Sequence, residues 1–265
     1  MIPVLASLVL EALHNSQAPV IQEGDLTFGA TELLEHAQTV HLNLCQHGLR
    51  PDEPVIVLVE NHPADFASFL GIWIAEGVAV PVHVGVPDTV LRGLAERTGA
   101  RFIIRGASGD IRETGLTPPD RPLLRGAALV VFTSGSTGSP KGVVLGHDRL
   151  AGKIHALQDM LQFSPTTRTL LPLQITFIFG IWVGLLSILS GAHLRLMSKF
   201  SPAVARAALS DGVTSAALVP TMLRAFVADT EGLGSAPALR QILTGGEPLG
   251  GGLRSCSQTG RASRC

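Results

Sequence analysis

The chain has 265 residues, of which 20 are Lys or Arg and 21 are Asp or Glu, so its formal net charge is −1. Hydrophobic residues make up 46% and charged residues 15%, with a mean hydropathy of +0.35. This composition excludes a disordered chain, and the balanced charge argues against binding nucleic acid through a basic surface. The length predicts one or two domains, and two classes stay open: a soluble protein with a large core and a membrane protein.

The apolar N-terminus predicts an amphipathic helix rather than a signal peptide. Apolar residues recur at helical spacing over 4–13, and the first basic residue is Arg50, so the positive region of a signal peptide is missing. The cysteines, Cys45, Cys256 and Cys265, fit neither a disulfide framework nor a metal site, which indicates a reducing compartment and a cytoplasmic protein. Cys45 lies in an apolar helical pattern and is predicted to be a core residue.

Residues 169–194 contain no Asp, Glu, Lys or Arg and are the candidate membrane segment. Their apolar core, 177–189, is shorter than the roughly 20 residues that a membrane-spanning helix needs. We therefore predict a buried helix of a soluble protein without a membrane span. A membrane-associated protein stays as an alternative.

Short β-branched runs alternate with helical patterns along the chain. The helical patterns lie at 30–46, 64–76, 88–98, 147–162, 202–210 and 221–228. The strand-like runs lie at 55–59, 78–82, 101–104, 128–132, 215–219 and 241–243. Several of these runs are almost continuously apolar, as is typical of strands covered on both faces. The alternating order predicts an α/β fold with a largely parallel sheet.

Two changes in composition divide the chain. Residues 106–126 are rich in Gly, Pro, Ser and Thr and are predicted to link a first α/β subdomain, 1–105, to a second, 127–249. From residue 250 onward the sequence is rich in Gly, Ser and Arg and has hardly any apolar residue. Residues 250–265 are therefore predicted to be a disordered tail.

The segment with the clearest chemistry joins the apolar run 128–132 to another extended run at 143–145. Its glycines allow close approach of the backbone to a ligand, and they are Gly135, Gly138 and Gly142. Hydroxyl groups and one cation accompany them, on Thr133, Ser134, Ser136, Thr137, Ser139 and Lys141. This combination predicts a phosphate clamp. It is neither a Walker A loop nor a dinucleotide fingerprint, and a polar hairpin loop without a ligand is the alternative.

Residues 133–142 resemble the phosphate-binding signature of the adenylate-forming superfamily, which includes acyl-CoA synthetases, peptide-synthetase adenylation domains and firefly-type luciferases. Other segments are similar to motifs of this family in order and spacing, at 26–28, 76–82, 171–180, 219–221 and 243–249. The resemblance implies the N-terminal part of the adenylate-forming fold, with stacked α/β subdomains and largely parallel sheets.

The resemblance also implies an activity. In this family a carboxylic acid attacks the α-phosphate of ATP, with Mg²⁺ as a further cofactor. The acyl group of the resulting adenylate then passes to a thiol, that of coenzyme A or of a carrier protein. The loop at 133–142 would hold the phosphates, and Gly245, Gly246 and Glu247 would form one wall of the nucleotide pocket. A strand-ending turn is the alternative for the two glycines.

Two further residues are assigned by the resemblance to the pocket for the acid, Phe177 and Gly180. Phe177 stands where many acyl-CoA synthetases of the family have a histidine, so it is expected to change the choice of acid. No residue is predicted to bind a metal, because the nine histidines lack the spacing of metal ligands.

The resemblance ends at Leu249, before the family's later motifs and before the C-terminal domain that carries its catalytic lysine. We therefore expect a truncated member with impaired activity, in which no catalytic residue can be assigned. The remaining sequence is expected to be unrelated, such as a frameshift would produce. A non-catalytic nucleotide-binding remnant, or an interaction module of the same fold, is the alternative.

Overall fold

The computed structural model describes residues 2–15, 19–117, 124–133, 140–228 and 233–247. The helices are α1 (Val4–Leu13), α2 (Ala30–Gln46), α3 (Pro63–Ile74), α4 (Asp88–Thr98), α5 (His147–Leu161), α6 (Ile178–Leu189), α7 (Pro202–Ser210) and α8 (Pro220–Ala228). The strands are β1 (Val20–Glu23), β2 (Leu26–Phe28), β3 (Pro54–Val59), β4 (Val78–His83), β5 (Phe102–Arg105), β6 (Ile111–Glu113), β7 (Ala127–Thr133), β8 (Lys141–Gly146), β9 (Arg168–Leu171), β10 (His193–Leu196), β11 (Ser215–Leu218) and β12 (Gln241–Thr244). This alternation confirms the predicted α/β fold.

The first sheet has the strand order β6-β5-β3-β4-β7-β8. Its four inner strands are parallel, and the two edge strands, β6 and β8, pair antiparallel with their neighbours. β3 and β4 are buried over almost their whole length, as their continuous apolar sequences predicted.

The second sheet has the strand order β12-β11-β9-β10-β1-β2. All neighbours are parallel except the hairpin of β1 and β2, and the β1–β10 register sets Val20 opposite His193. Both sheets thus combine strands from the two sides of the segment 106–126, and β6 itself lies within that segment. The division into subdomains stays a prediction, and the tail 250–265 lies outside the described residues.

Helices α3 and α6 are buried and pack against each other. Residues 63–73 of α3 are all buried, and Gly184 of α6 lies so close to the ring of Phe66 that a Cβ atom there would overlap it. A single hydrophobic cluster contains residues of both helices and of both sheets. α6 has 12 residues, and within the described part of the chain no helix is long and apolar enough to cross a bilayer.

The predicted core position of Cys45 is wrong. Helix α2 buries a stripe of residues at helical spacing, namely Leu33, Ala37, Val40 and Leu44, whereas Cys45 is exposed. Successive helical residues are rotated by about 100°. Because Leu44 occupies the buried position, the next side chain faces solvent.

Candidate functional site

The Gly/Ser/Thr-rich segment lies at the end of an antiparallel hairpin. Strands β7 and β8 pair so that Thr133 lies opposite Lys141 and Phe132 opposite Gly142. The Thr133 hydroxyl donates a hydrogen bond to the Lys141 carbonyl at 3.4 Å, and both residues are exposed. Five predicted ligand-binding residues between them lie outside the described residues: Ser134, Gly135, Ser136, Thr137 and Gly138.

A second cluster of predicted residues follows β12. Gly246 has a φ of +92°, a conformation that favours glycine. A Cβ atom on Gly246 would lie 3.7 Å from the Val219 side chain, and one on Gly245 would lie 3.6 Å from the ring of Phe179. The turn therefore lies between the start of α8 and the start of α6.

The Glu247 side chain holds this turn against α8. Its Oε1 accepts hydrogen bonds from the Thr221 amide at 3.1 Å and the Thr221 hydroxyl at 2.8 Å. Its Oε2 forms an ion pair with Arg224 Nη2 at 2.9 Å. The hydrogen bonds from Thr221 and then that from Arg224 hold the pKa of the Glu247 carboxyl below its ordinary value. The carboxylate thus supplies an acceptor for a free amide at the N-terminus of α8.

The start of α6 presents an exposed apolar surface beside this turn. Phe177 is 59% exposed and Ile178 is 39% exposed, while Phe179 stacks on Trp182 with ring centroids 5.3 Å apart. Gly180 lies directly against the backbone, because a Cβ atom on it would be 2.7 Å from the Gln174 carbonyl oxygen. The contact of Phe179 with Gly245 brings the predicted acid-pocket and nucleotide-pocket segments together.

Asn61, a buried residue that the sequence analysis missed, links the two sheets near this surface. It follows β3 of the first sheet, and its Nδ2 donates to the carbonyls of Leu173 and Met197, both at 2.9 Å. Its Oδ1 accepts from the Ile175 amide at 3.0 Å. Leu173 and Met197 follow β9 and β10 of the second sheet, so one side chain fixes the segment that leads to Phe177. An Asn before a His-Pro pair is a turn signal, but its distant partners leave no trace in the local sequence.

Two buried titratable residues lie near the hairpin and near Asn61. His147 begins α5 directly after β8 and packs edge-on against Trp73, with ring centroids 5.8 Å apart. Burial lowers the pKa of His147 to about 4. Asp65 lies in the first turn of α3, where its Oδ2 accepts from the amides of Glu60 and His62, and burial raises its pKa to about 7.

The predicted site residues are therefore distributed over both sheets. Thr133, Lys141 and Gly142 lie on the hairpin of the first sheet, whereas the Gly245–Glu247 turn follows a strand of the second. Thr221 and Arg224, which bind Glu247, were not predicted. Thr221 belongs to the family-like segment 219–221, but the local sequence does not indicate that it or Arg224 contacts Glu247, because these partners are 26 and 23 residues away.

The chain is thus an α/β protein with two six-stranded sheets, in which the Gly/Ser/Thr-rich segment joins β7 to β8 and a glycine turn follows β12. A family model described as "AMP-binding enzyme" matches residues 11–118 and 106–258. The chain belongs to this family of adenylate-forming enzymes. One of the plipastatin synthase proteins of Bacillus subtilis (strain 168) is 27% identical over 271 residues, and the alignment covers 91% of this chain but 10% of that protein. The chain thus spans about a tenth of that relative.

Solved structures agree with the fold. ATP-bound MatB from Rhodopseudomonas palustris has a TM-score of 0.80 at 19% identity, and the match covers 97% of this chain and 58% of that one. The o-succinylbenzoate CoA synthetase MenE from Bacillus subtilis, in complex with the acyl-adenylate intermediate OSB-AMP, has a TM-score of 0.76 at 19% identity. That match covers 91% of this chain and 68% of MenE. At these identities the similarity establishes the fold alone.

Proposed function

We propose that this chain takes part in the ATP-dependent activation of a carboxylic acid, with an acyl-adenylate as the product. The observation that carries the proposal is the β7–β8 hairpin, which places Lys141 opposite Thr133 at the ends of a Gly/Ser/Thr-rich loop, in a chain of the AMP-binding enzyme family. The ATP bound to MatB and the acyl-adenylate bound to MenE supply the ligand classes.

The exposed groups at the hairpin fit a polyphosphate. The Lys141 ammonium supplies a positive charge and the Thr133 hydroxyl a donor, and both stand clear of the core. Within the described residues, no group of three or more His, Cys, Asp or Glu could hold a metal ion. If Mg²⁺ binds together with ATP, it would neutralise part of the charge on the phosphates beside Lys141.

The chemistry needs positioning and charge stabilisation more than acid–base groups. The carboxylate oxygen of the acid attacks the α-phosphorus of ATP, the bond to the bridging oxygen breaks, and pyrophosphate leaves with the electron pair. Lys141 stabilises the charge that develops on the phosphates. In a second step a thiolate attacks the acyl carbonyl and AMP leaves. The thiol would be that of coenzyme A or of a carrier protein in the cytoplasm.

The acid is expected to lie on the apolar surface at the start of α6. Phe177 and Ile178 are exposed there, and Phe179 contacts Gly245 of the turn. The turn itself would contact the adenine, because glycines let a flat base approach the backbone. The activated carboxyl group would therefore react where the two segments meet.

The test combines ATP binding with acid-dependent exchange of pyrophosphate into ATP. Calorimetry should show ATP binding, and Lys141→Ala should raise its Kd at least about tenfold, since hydrogen bonds to charged groups contribute about 1.5–3 kcal/mol. Lys153→Ala, which removes an exposed lysine from α5, is the matched control and should leave the Kd unchanged. An unchanged Kd in Lys141→Ala would remove the role assigned to this lysine.

The exchange assay should include acid pairs that differ in one group. 3-Phenylpropanoate and phenylalanine share a skeleton, and the apolar surface should favour the acid without an ammonium group. Exchange with one of the acids would establish activation. ATP binding without exchange would support the predicted impairment. No ATP binding at all would overturn the proposed function and favour the interaction module.

A further inference from the structure

Glu247 is fully occupied by contacts with α8. Both carboxylate oxygens are used, one by the amide and hydroxyl of Thr221 and the other by Arg224. The partners are 26 and 23 residues away in sequence. A side chain with three such bonds has little freedom to bind a ligand as well. Its backbone, however, continues directly from Gly245 and Gly246.

The two glycines have no side chains that could hold the turn in place, so its position depends on contacts made by neighbouring residues. Gly246 adopts a φ of +92°, and glycine loses more conformational freedom on ordering than any other residue. A Cβ atom added to Gly245 would lie 3.6 Å from the Phe179 ring, and one added to Gly246 would lie 3.7 Å from the Val219 side chain. These are ordinary van der Waals distances, so the neighbouring apolar side chains do not clamp the turn tightly. Among the residues that the structure describes, the bonds of Glu247 are therefore the polar contacts seen between the turn and α8.

We propose that Thr221 and Arg224 are positioning residues, which act through Glu247 to hold the Gly245–Gly246 turn in the conformation that receives the nucleotide. This inference rests on the proposed function. A turn that is already ordered loses less entropy when the nucleotide binds, so the affinity is higher. We call the three side chains of Thr221, Arg224 and Glu247 the α8 clamp.

If Arg224 had a purely structural role, its loss would lower the stability of the chain and its ATP affinity together. The Arg224 and Glu247 side chains are 50% and 39% exposed, and exposed ion pairs contribute little to global stability. Loss of Arg224 should therefore leave the melting temperature almost unchanged while it weakens nucleotide binding. An effect on ATP affinity without a matching effect on stability distinguishes the positioning role.

The experiment measures the Kd for ATP and the Tm of matched variants. Arg224→Met should raise the Kd about three- to tenfold and shift the Tm by no more than about 3 °C. Arg224→Lys keeps the charge and should restore part of the affinity. Arg195→Met is the control, because Arg195 of β10 forms an ion pair of similar length, 2.8 Å, with Asp211 at the end of α7. It should leave the Kd for ATP unchanged.

A double-mutant cycle shows whether Arg224 acts through Glu247. If it does, the double variant Glu247→Gln/Arg224→Met should bind ATP no more weakly than the single variant with the higher Kd. Additive losses would overturn the clamp, and so would an Arg224→Met variant that binds ATP as the unaltered chain does. An unaltered chain that binds no ATP would overturn the proposed function itself, and with it the role of the clamp.

Discussion

Asn61 provides the sharpest test of how the two sheets are held together. Its side chain makes three buried hydrogen bonds, at 2.9, 2.9 and 3.0 Å, to backbone groups of the segments that follow β9 and β10 of the second sheet. Asn61→Gly removes all three bonds but keeps the backbone conformation, because Asn61 has a φ of +63°, which glycine adopts readily. The variant therefore isolates the hydrogen bonds from backbone strain.

The expected loss follows from the groups left behind. A buried backbone group that loses its partner costs about 1–3 kcal/mol, so three of them should lower the free energy of unfolding by about 3–9 kcal/mol. That is a large part of a total stability of about 5–15 kcal/mol. Each kcal/mol lowers the Tm by about 2–4 °C at this chain length, so Asn61→Gly should melt at least about 6 °C lower. Asn61→Ala should lose about 1 kcal/mol more through strain at positive φ.

Urea and thermal unfolding measure these losses, with Gln162→Gly as the control. Gln162 also has a positive φ, of 52°, but it ends α5 at an exposed position. The free energy of unfolding of Gln162→Gly should therefore fall by less than about 1 kcal/mol. A loss in Asn61→Gly no larger than in Gln162→Gly would refute the reasoning, because the bonds would then contribute nothing beyond the conformation of the backbone.

Three further predictions concern a glycine of the site, Gly180, and two buried titratable groups, Asp65 and His147. Gly180→Ala should lower the Tm, because its Cβ would lie 2.7 Å from a backbone carbonyl, whereas Gly152→Ala in the open part of α5 should leave the Tm unchanged or raise it. Since burial raises the pKa of Asp65 from 3.8 to about 7, stability should fall as pH rises through that interval, and Asp65→Asn should flatten this slope in urea titrations. The pKa of His147 is lowered from 6.5 to about 4, so its contribution is lost as pH falls through that interval, and His147→Phe should flatten the opposite slope. A variant whose pH–stability curve is parallel to that of the unaltered chain would contradict the corresponding assignment.

Continuous apolar runs made the inner strands of the first sheet predictable from the sequence. β3 and β4 are buried on both faces, so almost every consecutive residue in them is apolar and the local sequence alone indicates a buried strand. Strands β2 and β6 have three residues each and are largely exposed, so they lack such a pattern. Strand β1 joins the second sheet through the pairing of Val20 with His193, and local periodicity carries no information about so distant a partner.

The candidate site divides in the same way. The glycines, hydroxyl groups and lysine of the loop at 133–142 predicted a phosphate clamp, whereas the turn at 245–247 was assigned to the nucleotide pocket by its resemblance to the family, and both assignments stay predictions. The contacts of Asn61 and of the α8 clamp were not predicted from the sequence. Each joins residues far apart in the sequence through a single side chain, and such a residue has no local neighbour that reveals its role.

Under the proposed function, the arrangement of the sheets explains why contacts far from the loop would affect ATP binding. Lys141 lies on the first sheet and the Gly245–Gly246 turn on the second, so a nucleotide that contacts both must meet two sheets in a fixed relative position. Asn61 and the contact between Gly184 and Phe66 hold that position from within the core. The α8 clamp acts only on the turn itself. Damage to the contacts between the sheets should therefore reduce both stability and ATP affinity, whereas damage to the clamp should reduce ATP affinity alone.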